Sequence, residues 1–330
     1  MTAEWKLDRT STTMRAVRLH REGGPEELFL DRIDTPAPQR GEVLVRVHAA
    51  AITRDELEWP TDRLPAIPSY EFSGEVAAIG PDVHDLAPGD EVFTLCGFDR
   101  NGGAADFSIV PAKLLASKPR SIDHVQSAAI PLAGLSAWQG LFDHGRLESG
   151  HRVLIHGAAG GVGHLATQLA HWRGAYVVGS ASPGNAGIVS AFGADEVIDY
   201  RSRWFEGGIG DVDLVFDTVG GEALEHSPKV VRAGGRIVSV AEEPPPIPAE
   251  REIESVYFVV EPSREQLVEL ARLADAGDLK PAVDSVFPLA DARVAFDRSL
   301  TPGKHGKVVL RVVDEEATGE GRKFSGSARR

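Results

Sequence analysis

The segment "VLIHGAAGGVGHLATQLA", residues 153–170, restricts the folds open to this chain more than any other stretch. Aliphatic residues Val153 to Ile155 run into Gly157, Gly160, Gly161 and Gly163, and an apolar-periodic helical pattern follows. Strand, glycine turn and helix in that order open a βαβ unit. Small or neutral residues from Ala159 through Gly160, Gly161, Val162 and Gly163 would let the backbone approach a pyrophosphate. The helix start would add free N–H donors and the positive end of its dipole. Gly163 would also let helix and strand pack closely. The segment predicts a dinucleotide site; a plain structural turn is the alternative.

The surrounding pattern supports that reading. Between residues 133 and 278, strand-like runs such as "AYVVGSA", "EVIDY", "VDLVFDTVG" and "GRIVSVA" alternate with helical ones. This predicts a doubly wound parallel sheet with helices on both faces. "GRIVSVA" (235–241) is expected at the sheet edge, where pairing across a two-fold would give a homodimer. Before residue 120 the chain differs. Short strands such as "EVLVRVHAAAI", with Val43, Val45 and Val47 in period two, lie between Pro/Gly turns. That part reads as a β-rich, barrel-like unit. The β-like runs after residue 279 would rejoin it.

The second strand of the βαβ unit bears on the choice of cofactor. A NAD site usually places an acid there to hold the ribose hydroxyls. This strand ends in Ser180, Ala181 and Ser182, with no carboxylate to repel a 2′-phosphate. NADP is the expected cofactor. Tyr200 and Arg201 would supply a donor and a charge; the alternative is that the serines merely cap a helix. The net charge of −14 argues against a nucleic-acid partner. One cysteine, Cys96, rules out an intrachain disulfide or a Cys-rich zinc site and fits a reducing cytoplasm. No run approaches the roughly 20 apolar residues of a membrane span.

Many ordered motifs resemble the medium-chain dehydrogenase/reductase superfamily, and above all its zinc-free quinone oxidoreductase group. They include "GEVLVRVHAAAIT", "IPSYEFSGEVAAIG", "APGDEVF", "AAIPLAGLSAWQGLF", "HGAAGGVGHLATQLA", "DLVFDTVGG" and "GKVVLRV". The resemblance implies an α/β protein with a GroES-like catalytic domain (14–132 and 279–313) around a Rossmann nucleotide-binding domain (133–278). Residues 1–13 and 314–330 are expected to be disordered tails. Zinc-dependent relatives carry Cys or His in the segments matching "AAAITRDE" and "IPSYEF", and Cys or Asp in "PLAGLS". Here Thr53 and Tyr70 occupy the first two, and no metal is expected.

The resemblance also implies roles. An NADPH-dependent reductase of a quinone or an activated double bond would need a donor for the developing oxyanion. Tyr70 either donates or packs at the cleft wall, and Thr53 lies near the nicotinamide ribose. Ser136, Thr218, Val219, Val240, Ala241, Phe258, Val259 and Lys307 would border the cofactor. Glu242 or Glu243, in the proline-rich segment 241–252, would meet a cationic substrate. The alternatives are a biosynthetic reductase of an imine or polyketide-type intermediate, and an NADPH-binding sensor without turnover.

Overall fold

The computed structural model describes residues 12–59, 62–200 and 209–313. Arg201, residues 1–11 and the 314–330 tail lie outside the described residues. The chain opens with an antiparallel pair, β1 (Thr13–Leu19) and β2 (Leu28–Asp34). β2 is not legible in the sequence, because Asp31, Arg32 and Asp34 interrupt its apolar residues and Phe29 and Leu30 face solvent. Next come β3 (Glu42–Ile52), β4 (Glu71–Ile79), β5 (Glu91–Leu95), β6 (Phe107–Pro111) and β7 (Ala116–Ser117). β3 pairs antiparallel with β4 and β6, β4 with β5, and β5 with β7. Val43, Val45 and Val47 are fully buried, as their period-two spacing predicts.

The helical stretch after residue 123 is divided. In α1 (His124–Ala128), the Asp123 side chain accepts from the Gln126 amide, and Gln126 reaches back to Asp123. α2 (Pro131–Trp138) starts anew at Pro131, whose missing N–H costs nothing in a first turn.

The parallel sheet comprises β8 (Arg152–His156), β9 (Tyr176–Ala181), β10 (Glu196–Asp199), β11 (Val212–Asp217), β12 (Val231–Ser239) and β13 (Glu254–Tyr257). Its order is β10-β9-β8-β11-β12-β13, with α3 (Gly163–Trp172), α4 (Ala186–Ala191) and α5 (Gly221–His226) as connecting helices. The strand order reverses between β8 and β11, the switch point where doubly wound sheets bind ligands. One expectation is corrected here. "GRIVSVA" is not the edge, because β13 pairs along it from Arg236 to Ser239. "ESVY" is a short strand with mostly exposed side chains, so neither length nor hydrophobicity reveals it.

After α6 (Arg264–Ala276) the chain returns to the first sheet through β14 (Val283–Pro288), α7 (Ala292–Leu300) and β15 (Lys307–Arg311). β15 pairs antiparallel with β3 and parallel with β14. β3 thus lies between β15 and β4 and is buried along most of its length. This return brings residue 307 to the glycine turn.

Candidate active site

The turn after β8 is built by steric necessity. Gly157 has φ +70°, and a Cβ there would meet Val219 Cγ2 at 2.6 Å and Thr218 Oγ1 at 2.8 Å. At Gly163 a Cβ would come within 2.1 Å of the Gly157 carbonyl oxygen. The turn and the helix start are therefore pressed together. At the start of α3 the His164 amide donates to the Gly160 carbonyl, and the Leu165 and Ala166 amides to the Val162 carbonyl, so the turn runs straight into the helix.

A buried hydroxyl network braces the turn from behind. The Gly157 amide donates to Ser180 Oγ at 3.2 Å. Ser227 Oγ donates to the Ala223 carbonyl, so it accepts from His156 Nε2–H at 3.0 Å. That tautomer leaves His156 Nδ1 to accept from Ser180 Oγ, 3.4 Å away. Ser180, read from the sequence as a phosphate donor, thus has its hydroxyl committed inside the loop. Burial pushes the His156 imidazole down to about 4. His164 works similarly on the other side: Nδ1 lies 3.0 Å from the Gly160 carbonyl, and Nε2 accepts from the Ala282 amide. It too is pushed down to about 4, mainly by burial.

The returning strand closes the site. Gly306 N–H donates to the Ala159 carbonyl at 2.9 Å, and the Lys307 stem passes 3.0 Å from where a Gly161 Cβ would lie. The Lys307 ammonium donates to Thr53 Oγ1 at 3.1 Å and lies 2.5 Å from Glu71 Oε1, off the hydrogen-bond direction. Glu71 Oε2 accepts from the Leu132 amide at 2.8 Å. Both members of the ion pair are buried, with side-chain exposures of 5% and 0%. Glu56, a residue that sequence reasoning missed, lies in the same pocket. It is fully buried, and burial pushes its carboxyl well above the usual range, with Lys307 opposing and Glu71 reinforcing. Nothing in "TRDELE" separates Glu56 from its exposed neighbours Asp55 and Glu58.

Tyr70 precedes β4 and is completely buried. Its ring lies 5.7 Å from Trp59 and 5.4 Å from Phe98, and Arg63 Nη2 donates to its hydroxyl oxygen at 2.9 Å. Burial pushes the phenol up to about 12, with Arg63 opposing. The tyrosine is thus packed, and it accepts a hydrogen bond.

Apart from Ser136, which lies in α2, the remaining expected residues follow the carboxyl ends of the parallel strands. Thr218 Oγ1 donates to the His156 carbonyl, and Val219 beside it is exposed. Val240 N–H donates to the Asp217 carbonyl, Ala241 N–H to Ser239 Oγ, and Phe258 N–H to the Ser239 carbonyl. Val259 is exposed, Ala181 and Ser136 are buried, and Ser182 is half-buried without a side-chain cap bond. Tyr200, past β10, is exposed. Glu242 accepts from the Gly221 amide and is engaged at the start of α5.

Comparison with known proteins decides the family. The alcohol dehydrogenase GroES-like domain matches residues 39–120, and the zinc-binding dehydrogenase family matches residues 192–310. A probable zinc-binding oxidoreductase, mitochondrial, from Arthroderma benhamiae is 32% identical, over 87% of this chain and 93% of that protein. An NADPH-dependent alkenal/one oxidoreductase, chloroplastic, from Arabidopsis thaliana is 34% identical, over 87% and 77%. The solved quinone oxidoreductase from Coxiella burnetii superposes with a TM-score of 0.84 at 31% identity, over 91% of this chain and all of that one. The chain belongs to the medium-chain dehydrogenase/reductase superfamily and is quinone oxidoreductase-like. As such it is an oxidoreductase, with a GroES-like unit and a Rossmann-like sheet.

A superfamily member of this kind works with a nicotinamide cofactor, and the glycine cradle fits one. Catalytic zinc fits poorly. Thr53 donates nothing a zinc ion favours, the Tyr70 hydroxyl is held by Arg63, and Glu71 is taken up by Lys307 and Leu132. Among the described residues no group of three or more His, Cys, Asp or Glu could hold a metal ion. Nor, among them, is any helix long and apolar enough to cross a membrane.

Proposed function

We propose that this oxidoreductase is an NADPH-dependent, zinc-independent reductase of quinones or of double bonds conjugated to a carbonyl. One observation carries the reading. The Gly157–Gly163 turn lies at the switch point of the sheet, with Lys307 laid against it by the returning strand and donating to Thr53. The bound dinucleotide supplies a hydride. The protein's part is to hold it: turn amides and α3 toward the pyrophosphate, Lys307 toward the phosphates, and the ends of β12 and β13 along the nicotinamide side. NADPH is favoured because β9 ends in Ala181 and Ser182, without an acid to repel a 2′-phosphate. A conjugated acceptor suits a site without a Lewis acid, because the charge that follows hydride addition spreads onto oxygen, where a hydroxyl donor can meet it. The name of the Arabidopsis relative, an alkenal/one oxidoreductase, points the same way.

The reading includes a catalytic unit of 14–132 with 279–313 around a nucleotide unit of 133–278. It also includes cytoplasmic residence and a homodimer; β13, as the sheet edge, would supply the pairing strand. Sedimentation that shows only monomer would remove the dimer. The functional test is a tryptophan-fluorescence titration with NADPH and NADH on metal-stripped protein, followed by NADPH oxidation with a panel of quinones and enones. Tighter NADPH binding and metal-free turnover are expected. No binding of either nucleotide would end the reading.

A further inference from the structure

The turns that follow β11 and β12 are tied together by a closed circuit of hydrogen bonds to which the proposed function gives no role. Its centre is the Asp217 side chain, at the end of β11 and completely buried. The Asp217 carboxylate accepts from the Gly220 amide at 3.0 Å and from the Val219 amide at 3.3 Å. Ser239, the last residue of β12, is also completely buried. Its Oγ accepts from the Ala241 amide at 3.1 Å and from the Glu242 amide at 3.2 Å. The one hydroxyl hydrogen of Ser239 therefore goes to Asp217 Oδ2, 2.8 Å away. Every side-chain partner of Asp217 among the described residues donates to it, as a carboxylate requires, although burial pushes its pKa up. The circuit closes at the surface. The exposed Glu242 side chain accepts from the Gly221 amide, next in the chain to the amide that Asp217 holds. Gly220, between these two links, has φ +77°, and a Cβ there would lie 2.9 Å from Glu242 Cδ. The clip thus fixes the 218–221 turn relative to residues 240–242. It also sets Val219, which is 59% exposed and stands beside Gly157 in the glycine turn.

We propose that Asp217 is a positioning residue for the dinucleotide, fixing through Ser239 and Glu242 the two turns past which the cofactor runs. The proposal rests on the nucleotide-binding part of the reductase reading, which carries the cofactor along the ends of β11 and β12. Asp217 and Ser239 present no accessible surface to a ligand, so both act only through the backbone of the turns they hold. Turns that are already set cost nothing to order when the nucleotide arrives, and that saving appears as affinity. The clip has a buried end and a surface end. Glu242 can be removed without cutting into the core, whereas Asp217 cannot.

The test is a fluorescence titration of the full chain with NADPH, run beside urea melts and steady-state kinetics with a quinone acceptor. Glu242→Ala opens the clip at its exposed end and leaves the buried links in place. It should melt close to the wild type yet bind NADPH about threefold more weakly, the scale of one hydrogen bond. Asp217→Asn keeps the volume but turns an amide NH2 toward groups that already donate. It should weaken NADPH binding about tenfold. The KM for NADPH should rise in step, with kcat at saturating NADPH changed by less than about twofold, as expected when binding alone is lost. The double variant should bind no more weakly than Asp217→Asn alone, because the clip is already open. If Asp217→Asn does not fold, Glu242→Ala carries the test. Unchanged binding in Glu242→Ala overturns the proposal, as do losses that multiply in the double variant. So does a loss of stability in Asp217→Asn with each folded molecule binding NADPH as the wild type does, which is what a merely structural role predicts. A wild type that binds no nucleotide ends the proposal and the reductase reading together. If the variants bind more weakly but the wild type reduces no quinone or enone, the clip stands and the reductase reading falls.

Discussion

The two walls of the site are made by opposite means. On one side the Gly157–Gly163 turn offers backbone alone; a single methyl would meet backbone or side-chain atoms within 3.1 Å at Gly157, Gly160, Gly161 and Gly163 alike. On the other side Thr53, Glu56, Glu71 and Lys307 are polar side chains, the last three buried, drawn from the turn after β3, from β4 and from β15. The first wall selects by shape, most strictly at Gly157 and Gly163, where an added Cβ would come within 2.6 and 2.1 Å of other atoms. The second selects by charge balance and would accept volume while refusing a lost partner. A site divided in this way can change its acceptor chemistry on the charged wall and leave the dinucleotide cradle intact.

The largest effect that would test this contrast is expected from Gly163→Val. Its Cβ would lie 2.1 Å from the Gly157 carbonyl, so stability should fall by more than about 4 kcal/mol and nucleotide binding should vanish. Urea melts and fluorescence titration would show it, and a folded, binding-competent variant would break the shape argument. Next comes Lys307→Met, which keeps the volume but strands Glu71. A loss of about 3–5 kcal/mol is expected, with part of it recovered in the double variant with Glu71→Gln. Additive losses would mean that the pair is not coupled.

Acid comes third. His156, His164 and His124 are each pushed down to about 4 by burial from an ordinary value near 6.5. Their depressed values mean that the fold binds fewer protons than the unfolded chain between those limits. Stability should therefore hold above about pH 6.5 and fall as pH drops toward about 4, at about 1.4 kcal/mol per pH unit for each histidine. Denaturation midpoints across that window would check it, and a flat profile would contradict the burial of these rings. The smallest effect is expected from Ser180→Ala. With its hydroxyl turned toward Gly157 and His156, the change should cost about 1 kcal/mol and leave the proposed preference for NADPH over NADH unchanged. A collapse of that preference would show that the hydroxyl turns outward when the nucleotide binds.

How much the sequence revealed follows the same division. The glycine turn was legible because its constraints are local: strand, small residues and helix are contiguous. So were the alternating elements of the parallel sheet, whose buried runs of Val, Leu and Ile stand out against their turns. The resemblance points to Lys307 as a residue of the returning segment, but its contact with Glu71 is not legible, since no local pattern links β15 to β4. Glu56 carried no signal at all; an acid in an acidic stretch reads as a solvated face until the fold buries it. β2 and β13 were missed for the reverse reason, since their side chains are too exposed to show a period. Tyr70 illustrates a third limit. Its position in the chain pointed to the cleft, but its surroundings, Arg63 with two aromatic rings, are assembled from separate segments.

The link between Lys307 and Thr53 spans 254 residues. During synthesis at a ribosome, Glu71 emerges long before Lys307, the cation that pairs with it. Until β15 is made to pair with β3, closing the first sheet would bury Glu71 with no ammonium beside it. The charged wall is thus complete only once residue 307 has been made.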